Sequence, residues 1–171
     1  MSTNNKITKV LIANRSEVVS RINFSCQKMG IKTVSIYSSE DQLLPYVFQT
    51  NQNRELTKNG PSAYLNQDEI INIALNTKCD AIHPGYGFLS ENSQFAKKVI
   101  DSGLIWIGPK PETIKLMGDK TYARKIMQKS GVPIIPGFYF LKSEINNAKK
   151  AACLIGYPII LKDPLGGGGK A

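Results

Sequence analysis

The chain has 171 residues and a formal net charge of +9, with 42% hydrophobic and 20% charged residues. This length fits one domain, or one domain and part of a second, and the balance is that of a folded protein, which excludes disorder throughout. No run of about 18 apolar residues is present, which excludes a transmembrane helix, and the first ten residues lack the apolar core of a signal peptide, so we expect a cytoplasmic protein.

The first 37 residues predict a strand–helix–strand unit. An apolar run over 9–13 indicates a buried strand, the helical spacing over 17–29 ends at Gly30, and 33–37 is a second strand. The alternation continues with a helix over 68–75, a strand over 79–82, a helix over 94–100 and a strand over 104–107. This pattern predicts an α/β fold, an open parallel sheet covered by helices on both faces. The polar stretch 38–61 is predicted to be a long loop with one short element near 46–48.

The pattern changes after residue 108. We predict a helix over 112–130 interrupted at Gly118, a strand pair beginning at 134–137, a helix over 144–154 and a strand over 158–162. The last residues read GGGGKA. Because ordering four glycines has a high entropic cost, such a loop is usually held by a ligand or by later parts of a chain. We therefore expect this chain to be the front part of a larger protein.

The positive charge comes mostly from scattered lysines, which favours either a solvated surface or an anionic ligand. A nucleic-acid-binding protein usually shows a clustered basic patch or a known motif, and neither is present, so we expect no nucleic acid and no membrane partner. Cys26, Cys79 and Cys153 have no metal-ligand spacing and are interpreted as reduced core thiols. A single histidine, His83, excludes a multi-histidine metal site.

The segment HPGYGFLSEN, residues 83–92, follows a predicted strand at the edge where open α/β sheets bind ligands. Its glycines permit close backbone approach, and Tyr86 offers an aromatic face. His83 is either a structural, hydrogen-bonded histidine or a functional one. Either Ser90 or Asn92 caps the next helix.

The final glycine loop is not a P-loop, because Ala171 stands where that motif requires Ser or Thr. The turn after the first strand also lacks the GxGxxG pattern of dinucleotide-binding folds. Lys120 follows Asp119, the predicted cap of a helix, and Lys162 directly precedes the loop region. Two lysines and a glycine loop are suited to cradle a polyphosphate; the alternatives are two solvated lysines and a flexible tail.

Taken together, these segments resemble the biotin carboxylase family. The chain contains, in the order seen in that family, KVLIANRSEVVSRI, GIKTVSIYS, AIHPGYGFLSEN, IGPKPETIKLMGDK, SGVPIIPG and GYPIILKDPLGGGGK. The resemblance extends from about residue 9 to residue 170. Carbamoyl-phosphate synthetases share the ATP-grasp plan but not HPGYGFLSEN.

The resemblance implies a Rossmann-like N-terminal domain over 1–117 and the beginning of an ATP-grasp domain over 118–171. The family reaction uses ATP and Mg²⁺ to activate bicarbonate and then carboxylates a carrier-bound biotin. By motif, Lys120 and Lys162 correspond to ATP-contacting lysines, and Gly168 and Gly169 to the glycine lid over the phosphates. Tyr86 and Gly87 correspond to positions near the biotin. The family's partners are a biotin carboxyl carrier protein and a carboxyltransferase subunit, and the helix with Arg21 resembles one used in a homodimer.

Two departures from the family concern the first domain: Ser16 stands where the family has glycine, and Tyr46 with Thr50–Asn51 occupies a loop that is about one residue shorter. The family's magnesium-binding glutamates, bicarbonate-binding residues and catalytic arginine have no counterpart in these residues. We therefore expect the N-terminal part of a biotin carboxylase, inactive as an isolated chain and possessing no catalytic or metal-binding residues of its own. It is either completed by a C-terminal chain, or it is a non-catalytic Rossmann-like interaction module or a decayed fragment.

Overall fold

The computed structural model describes residues 6–140 and 144–161 of the chain, and only the backbone of Lys120. By its internal contacts the chain divides into two units, Met1–Ile114 and Lys115–Ala171. The boundary expected from the sequence, between 117 and 118, remains a prediction.

The first unit is built on one parallel sheet. Its strands are β1 (Lys9–Ile12), β2 (Lys32–Tyr37), β3 (Gln52–Glu55), β4 (Ala81–His83) and β5 (Ile105–Trp106). Its helices are α1 (Ser16–Lys28), α2 (Pro45–Gln49), α3 (Gln67–Asn76) and α4 (Ser93–Asp101), and α5 (Pro111–Gly118) contains the division between the units. The strand order is β3-β2-β1-β4-β5 and every pairing is parallel. The predicted α/β fold is therefore confirmed.

Alternate residues of the central strand face two hydrophobic clusters, one on each side of the sheet. Leu11 belongs to the cluster that includes Ile70 of α3 and Phe95 of α4. Val10 belongs to the cluster that includes Val19 of α1. Both faces of the sheet are buried at β1, which explains why this central strand is apolar at successive positions from Val10 onward.

The stretch 38–61 contains a strand that the sequence did not predict. Polar β3 pairs with β2 along the edge of the sheet, and its residues are mostly exposed. Edge strands bury little surface and carry polar side chains, so β3 has no hydrophobic pattern. The residues at which this loop differs from the family pattern are well packed. Tyr46 is fully buried, Thr50 hydrogen-bonds Ser35 and Asn51 accepts the Thr33 N–H.

The described part of the second unit contains the helices α6 (Lys120–Lys129) and α7 (Ile145–Ile155). The predicted interruption at Gly118 is confirmed, since α5 ends there. The strand predicted at 134–137 is wrong, and the strand predicted at 158–162 is wrong over 158–161, since Lys162 lies outside the described residues. Both segments are irregular, because no strand among the described residues of this unit lies beside them to supply hydrogen bonds. Cys26 and Cys79 are buried free thiols, but Cys153 on α7 is exposed, which corrects its assignment to the core. Across 6–140 and 144–161, no helix has the length and apolar character needed to cross a bilayer.

Candidate functional site

Asn14, the second residue after β1, holds the loop that follows β4. Its side chain is buried, and Nδ2 donates to the carbonyl oxygens of Pro84 at 2.7 Å and Tyr86 at 2.8 Å. Its Oδ1 accepts the N–H of Arg15 at 2.9 Å. One buried amide therefore fixes the HPGYG turn to the neighbouring strand end, at the carboxyl edge of the sheet where α/β folds bind ligands.

The two glycines of this turn have different surroundings. Gly85 has φ +65°, and a β-carbon there would lie 2.4 Å from Cγ1 of Val18, which no side chain tolerates without movement. Gly87 has φ +68°, but a β-carbon there would meet no atom within 4 Å. Gly85 therefore allows close packing inside the protein, whereas Gly87 leaves open space beside its backbone.

Tyr86, between these glycines, presents a largely exposed ring, with 65% of the residue accessible. Its hydroxyl donates a hydrogen bond to Oε1 of Glu17 in the first turn of α1, and this bond raises the pKa of the phenol. The ring is thus exposed and yet anchored at its tip. An anchored aromatic face beside an open glycine is suited to contact a flat, partly apolar ring.

His83 at the end of β4 has the structural role that one of the two sequence interpretations predicted. Its Nδ1 accepts the N–H of Gly85 at 3.0 Å. Burial lowers the pKa of the imidazole below its ordinary value of 6.5, so the ring is neutral at pH 7. With Nδ1 as the acceptor, the proton resides on Nε2.

A buried polar network beside the turn was not predicted from the sequence. Arg15 forms an ion pair with Asp41, whose other oxygen accepts the Tyr64 hydroxyl at 2.6 Å. The Tyr64 oxygen lies 2.9 Å from that of Tyr46 and accepts the Ser38 N–H at 3.1 Å. Only Arg15 could have been suspected from the sequence, because it directly follows Asn14 in the turn after β1, at the edge of the sheet where ligands bind. The acid and the tyrosines come from a polar stretch with no recognisable pattern.

Burial and hydrogen bonding fix the charge states of this network. Burial raises the pKa of both tyrosines. For Arg15, burial acts to lower the pKa, but the hydrogen bond and charge of Asp41 outweigh it and the pKa is raised. The guanidinium is thus permanently charged and the phenols stay neutral.

The ring of Tyr64 also lies 5.3 Å from that of Phe88, which connects the network to the HPGYG turn.

The structure identifies the N-cap residues of α4 and α6, for which the sequence offered two candidates and one prediction respectively. Asn92 is the residue that caps α4, since its Oδ1 accepts the Phe95 N–H at 2.9 Å. Asp119 caps α6, as predicted, by accepting the N–H groups of Thr121 at 2.9 Å and Tyr122 at 3.0 Å. Lys120 therefore begins α6.

Of the predicted site residues, the structure describes Tyr86 and Gly87, which are consecutive in the chain, and the backbone of Lys120. Lys162, Gly168 and Gly169 lie outside the described residues, so the predicted phosphate contacts remain predictions. Within 6–140 and 144–161, no three His, Cys, Asp or Glu side chains are grouped so that they could hold a metal ion.

Comparison with known proteins gives two family matches. Residues 6–114 match the family described as "Biotin carboxylase, N-terminal domain". Residues 119–171 match "Carbamoyl-phosphate synthase L chain, ATP binding domain".

Similar proteins include Biotin carboxylase 2 of Bacillus subtilis, 45% identical over 163 residues, which span 95% of this chain and 37% of that protein. The biotin carboxylase of Allochromatium vinosum is 47% identical over 172 residues, 96% of this chain and 37% of that protein. The chain thus spans little more than a third of these relatives. Among solved structures, the biotin carboxylase domain dimer of Hydrogenobacter thermophilus 2-oxoglutarate carboxylase, in complex with MgADP, ADP and bicarbonate, superposes with a TM-score of 0.89. It is 40% identical, with 95% of this chain and 36% of that one covered.

Proposed function

The chain belongs to the family of biotin carboxylase N-terminal domains, and from this we propose that it supplies the N-terminal part of an ATP-dependent biotin carboxylase. Such an enzyme joins bicarbonate to the biotin of a carrier protein. The observation that carries the proposal is the family match over 6–114, followed directly by an ATP-binding family match over 119–171. The fixed HPGYG turn at the ligand-binding edge of the sheet supports it.

Tyr86 and Gly87 are proposed to contact the biotin. The open space beside Gly87 admits a ring close to the backbone, and the anchored Tyr86 ring offers it an apolar face. Asn14 supports both residues by holding the carbonyl oxygen of Tyr86. The proposed role of these groups is to bind and orient the biotin. The neutral His83 beside them accepts the Gly85 N–H and has no proposed proton-transfer role.

Lys120, Lys162, Gly168 and Gly169 are proposed to bind the phosphates of ATP. When bound, ATP would supply the phosphoryl group that activates bicarbonate. The two ammonium groups would offset phosphate charge, and glycine N–H groups can converge on one anion because no β-carbon intervenes. The part of the chain that is described has no carboxylate cluster fit for magnesium, so we assign no residue here to that ion.

We propose that these 171 residues alone do not catalyse the reaction, because they correspond to 37% of the length of a biotin carboxylase such as that of A. vinosum. The rest of the cleft would come from the part of the enzyme that these residues do not cover, whether on the same chain or on a complementing one. The proposed partners of the completed enzyme are a biotin carboxyl carrier protein and a carboxyltransferase subunit. A second copy of the completed enzyme is a further proposed partner, since the related H. thermophilus domain is a dimer.

A chimera tests this proposal. The 163 aligned residues of Biotin carboxylase 2 from B. subtilis would be replaced by the corresponding part of this chain, and ADP formation would be measured with bicarbonate and free biotin. We expect turnover that depends on both substrates. The chain alone, in the same assay, should show none.

Two matched variants of the chimera locate the biotin contact. G87A should raise the KM for biotin about tenfold, the effect of losing roughly 1.4 kcal/mol of binding, and leave the KM for ATP unchanged. G103A is the control, since Gly103 also has a positive φ, +81°, and open space around it. A folded chimera without turnover would contradict the proposal and would favour the non-catalytic interaction module.

A further inference from the structure

A pocket lies at the amino edge of the sheet, opposite to the edge that carries the HPGYG turn. Its volume is about 520 Å³, within the range of small-molecule sites. The first residues of β1, β2 and β3 line it, together with Gly30 after α1 and the end of α3 at 76–78. We call it the amino-edge pocket.

Four cationic side chains line the amino-edge pocket: Lys9, Lys32, Arg54 and Lys78. No carboxylate lines it, and within the described ranges none of the four forms an ion pair within 4.0 Å. Like charges gathered around one cavity repel each other unless an anion offsets them. The pocket is therefore electrostatically complementary to a ligand with several negative charges.

The acid nearest to Lys78 in sequence, Asp80, is engaged elsewhere. Its Oδ2 accepts the N–H of Thr8 at 2.7 Å, the hydroxyl of Thr8 at 2.7 Å and the N–H of Lys9 at 2.9 Å. These three bonds hold the carboxylate against the backbone that enters β1. Asp80 consequently offsets part of the charge of Lys9 but is not among the groups that line the cavity.

The usual reason for lysines at this edge is the negative end of each helix dipole, because α1 and α3 both finish here. Lys9 serves that purpose, since its Nζ donates to the carbonyl oxygen of Thr77 at 2.6 Å. The second bond of that ammonium goes to Oε1 of Gln52 at 3.1 Å. Lys32, Arg54 and Lys78 remain as cations that the helix end does not need.

The backbone at Lys78 is a second and independent observation. The residue after the cap of α3 is Lys78 with φ +54°, whereas the residue after the cap of α1 is Gly30 with φ +70°. Both line the same pocket. A left-handed residue with a β-carbon is strained, and glycine is the usual solution. A lysine at this position accepts strain and places a charge on the pocket, and strain of this kind is typical of functional positions.

We propose that the amino-edge pocket binds a small molecule that carries two or more phosphoryl groups. Three cations without an ion pair match the charge of at least two phosphoryl groups. Nη1 of Arg54 donates to the carbonyl oxygen of Asn53 at 2.7 Å, and the remaining N–H groups of a guanidinium can hold two oxygens of one phosphate. The pocket shares no residue with the proposed ATP site, and the proposal does not depend on the proposed function.

The experiment titrates inorganic triphosphate into the full 171-residue chain in 150 mM KCl, with amide chemical shifts recorded by NMR. We expect saturable shifts at Gly30, Thr77 and Lys78. K78G and K32Q should each weaken binding about tenfold or more, as expected for loss of one charge-assisted contact. K58Q removes an exposed lysine outside the pocket and should change the affinity less than about twofold.

K78G also separates binding from folding. Glycine relieves the left-handed strain at this position, so the variant should unfold at a higher temperature while it binds less triphosphate. K162A, which removes a residue of the proposed ATP site, should leave the shifts at the pocket unchanged. A K78G protein that is less stable than the parent, with binding lost in proportion, would overturn the assignment.

Three other results would also overturn it. One is shifts that never saturate, or that sulfate reproduces at equal ionic strength. Another is shifts confined to 162–171, which would place the ligand at the proposed ATP site. The third is stronger binding of an acidic peptide than of triphosphate at the same amides, which would indicate a protein partner instead.

Discussion

A β-carbon on residue 85 would lie 2.8 Å from Nδ2 of Asn14, so Gly85 and Asn14 share a space that only glycine leaves open. The same Nδ2 donates to the carbonyl oxygens on both sides of residue 85, those of Pro84 and Tyr86. The turn thus closes around the amide. Its position depends on a residue that lies about 70 positions earlier in the chain, and each partner fits only when the other is present.

Alanine at Gly85 should destabilise the first unit much more than alanine at Gly87. Both positions have positive φ, which costs about 1–2 kcal/mol for a residue with a β-carbon, but only Gly85 adds a clash worth about 1–3 kcal/mol. Urea unfolding followed through Trp106, the single tryptophan and a buried one, measures both variants. Equal losses would show that the turn moves away from Asn14 without cost.

Asn14→Ala should lower the free energy of unfolding by about 2–4 kcal/mol, because it removes the donor to the buried carbonyl oxygen of Pro84 and to the partly buried one of Tyr86. Asn14→Asp should cost at least as much, since a carboxylate cannot donate and would face those oxygens. Asn72→Ala on the exposed surface of α3 is the control and should stay within about 0.5 kcal/mol of the parent. A mild effect of Asn14→Asp would argue that water replaces the amide.

Ser16→Gly should stabilise the chain by about 1 kcal/mol. Ser16 has φ +55° at the start of α1, and glycine adopts this conformation without the strain of a β-carbon. This is also the position where the family usually has glycine. Ser25→Gly, in the last turn of the same helix, should instead destabilise by about 0.5 kcal/mol. Two thermal unfolding curves that shift in opposite directions are the expected result, and a loss in both would contradict the strain.

The sequence predicted those elements that a short run of neighbouring residues identifies by itself. The central strands were predictable because both faces of the sheet are buried: the run around Val10 is continuously apolar, and the run around Val34 is rich in residues that favour strands. Strand β3 was missed because its exposed edge position permits polar residues throughout. The irregular segments of the second unit were overpredicted as strands because apolar runs alone do not provide a hydrogen-bonding partner.

In the candidate site, too, one part could be predicted from the sequence and another could not. The HPGYG glycines indicated close backbone approach, but the sequence does not tell which glycine faces protein and which faces open space. The network of Arg15, Asp41 and Tyr64 was not predictable, because its members are separated by 26 and 23 positions and meet only through the fold.

Tyr64→Phe should destabilise the first unit by about 2 kcal/mol. It removes the hydroxyl that donates to Asp41 and that accepts from Ser38, and hydrogen bonds to charged groups contribute about 1.5–3 kcal/mol. Tyr46→Phe removes bonds only to neutral partners, the carbonyl oxygen of Ile36 at 3.3 Å and the Tyr64 hydroxyl, and should cost about 1 kcal/mol. Urea unfolding would rank the two, and the reverse order would mean that Arg15 alone satisfies the Asp41 carboxylate.

Acidification should destabilise the first unit through His83 before it affects any carboxylate with a lowered pKa. Burial lowers the pKa of His83 in the folded chain below 6.5, whereas the unfolded chain takes up the proton near 6.5. The unfolded state therefore binds more protons as the pH falls through this interval. The contribution of the neutral imidazole is complete above pH 6.5 and is lost as the pH falls through the lower, folded pKa.

His83→Asn tests this directly, because asparagine keeps an acceptor for the Gly85 N–H and does not titrate. The parent should lose stability as the pH falls below about 6.5, with a slope of at most about 1.4 kcal/mol per pH unit, the limit for one proton. The variant should be flatter in this interval. The pKa of Asp80 is lowered from 3.8, mainly by its bond to the Thr8 hydroxyl, so its contribution is lost only below that pH and does not overlap. Parallel curves for parent and variant would mean that the imidazole takes up its proton equally well in the folded chain.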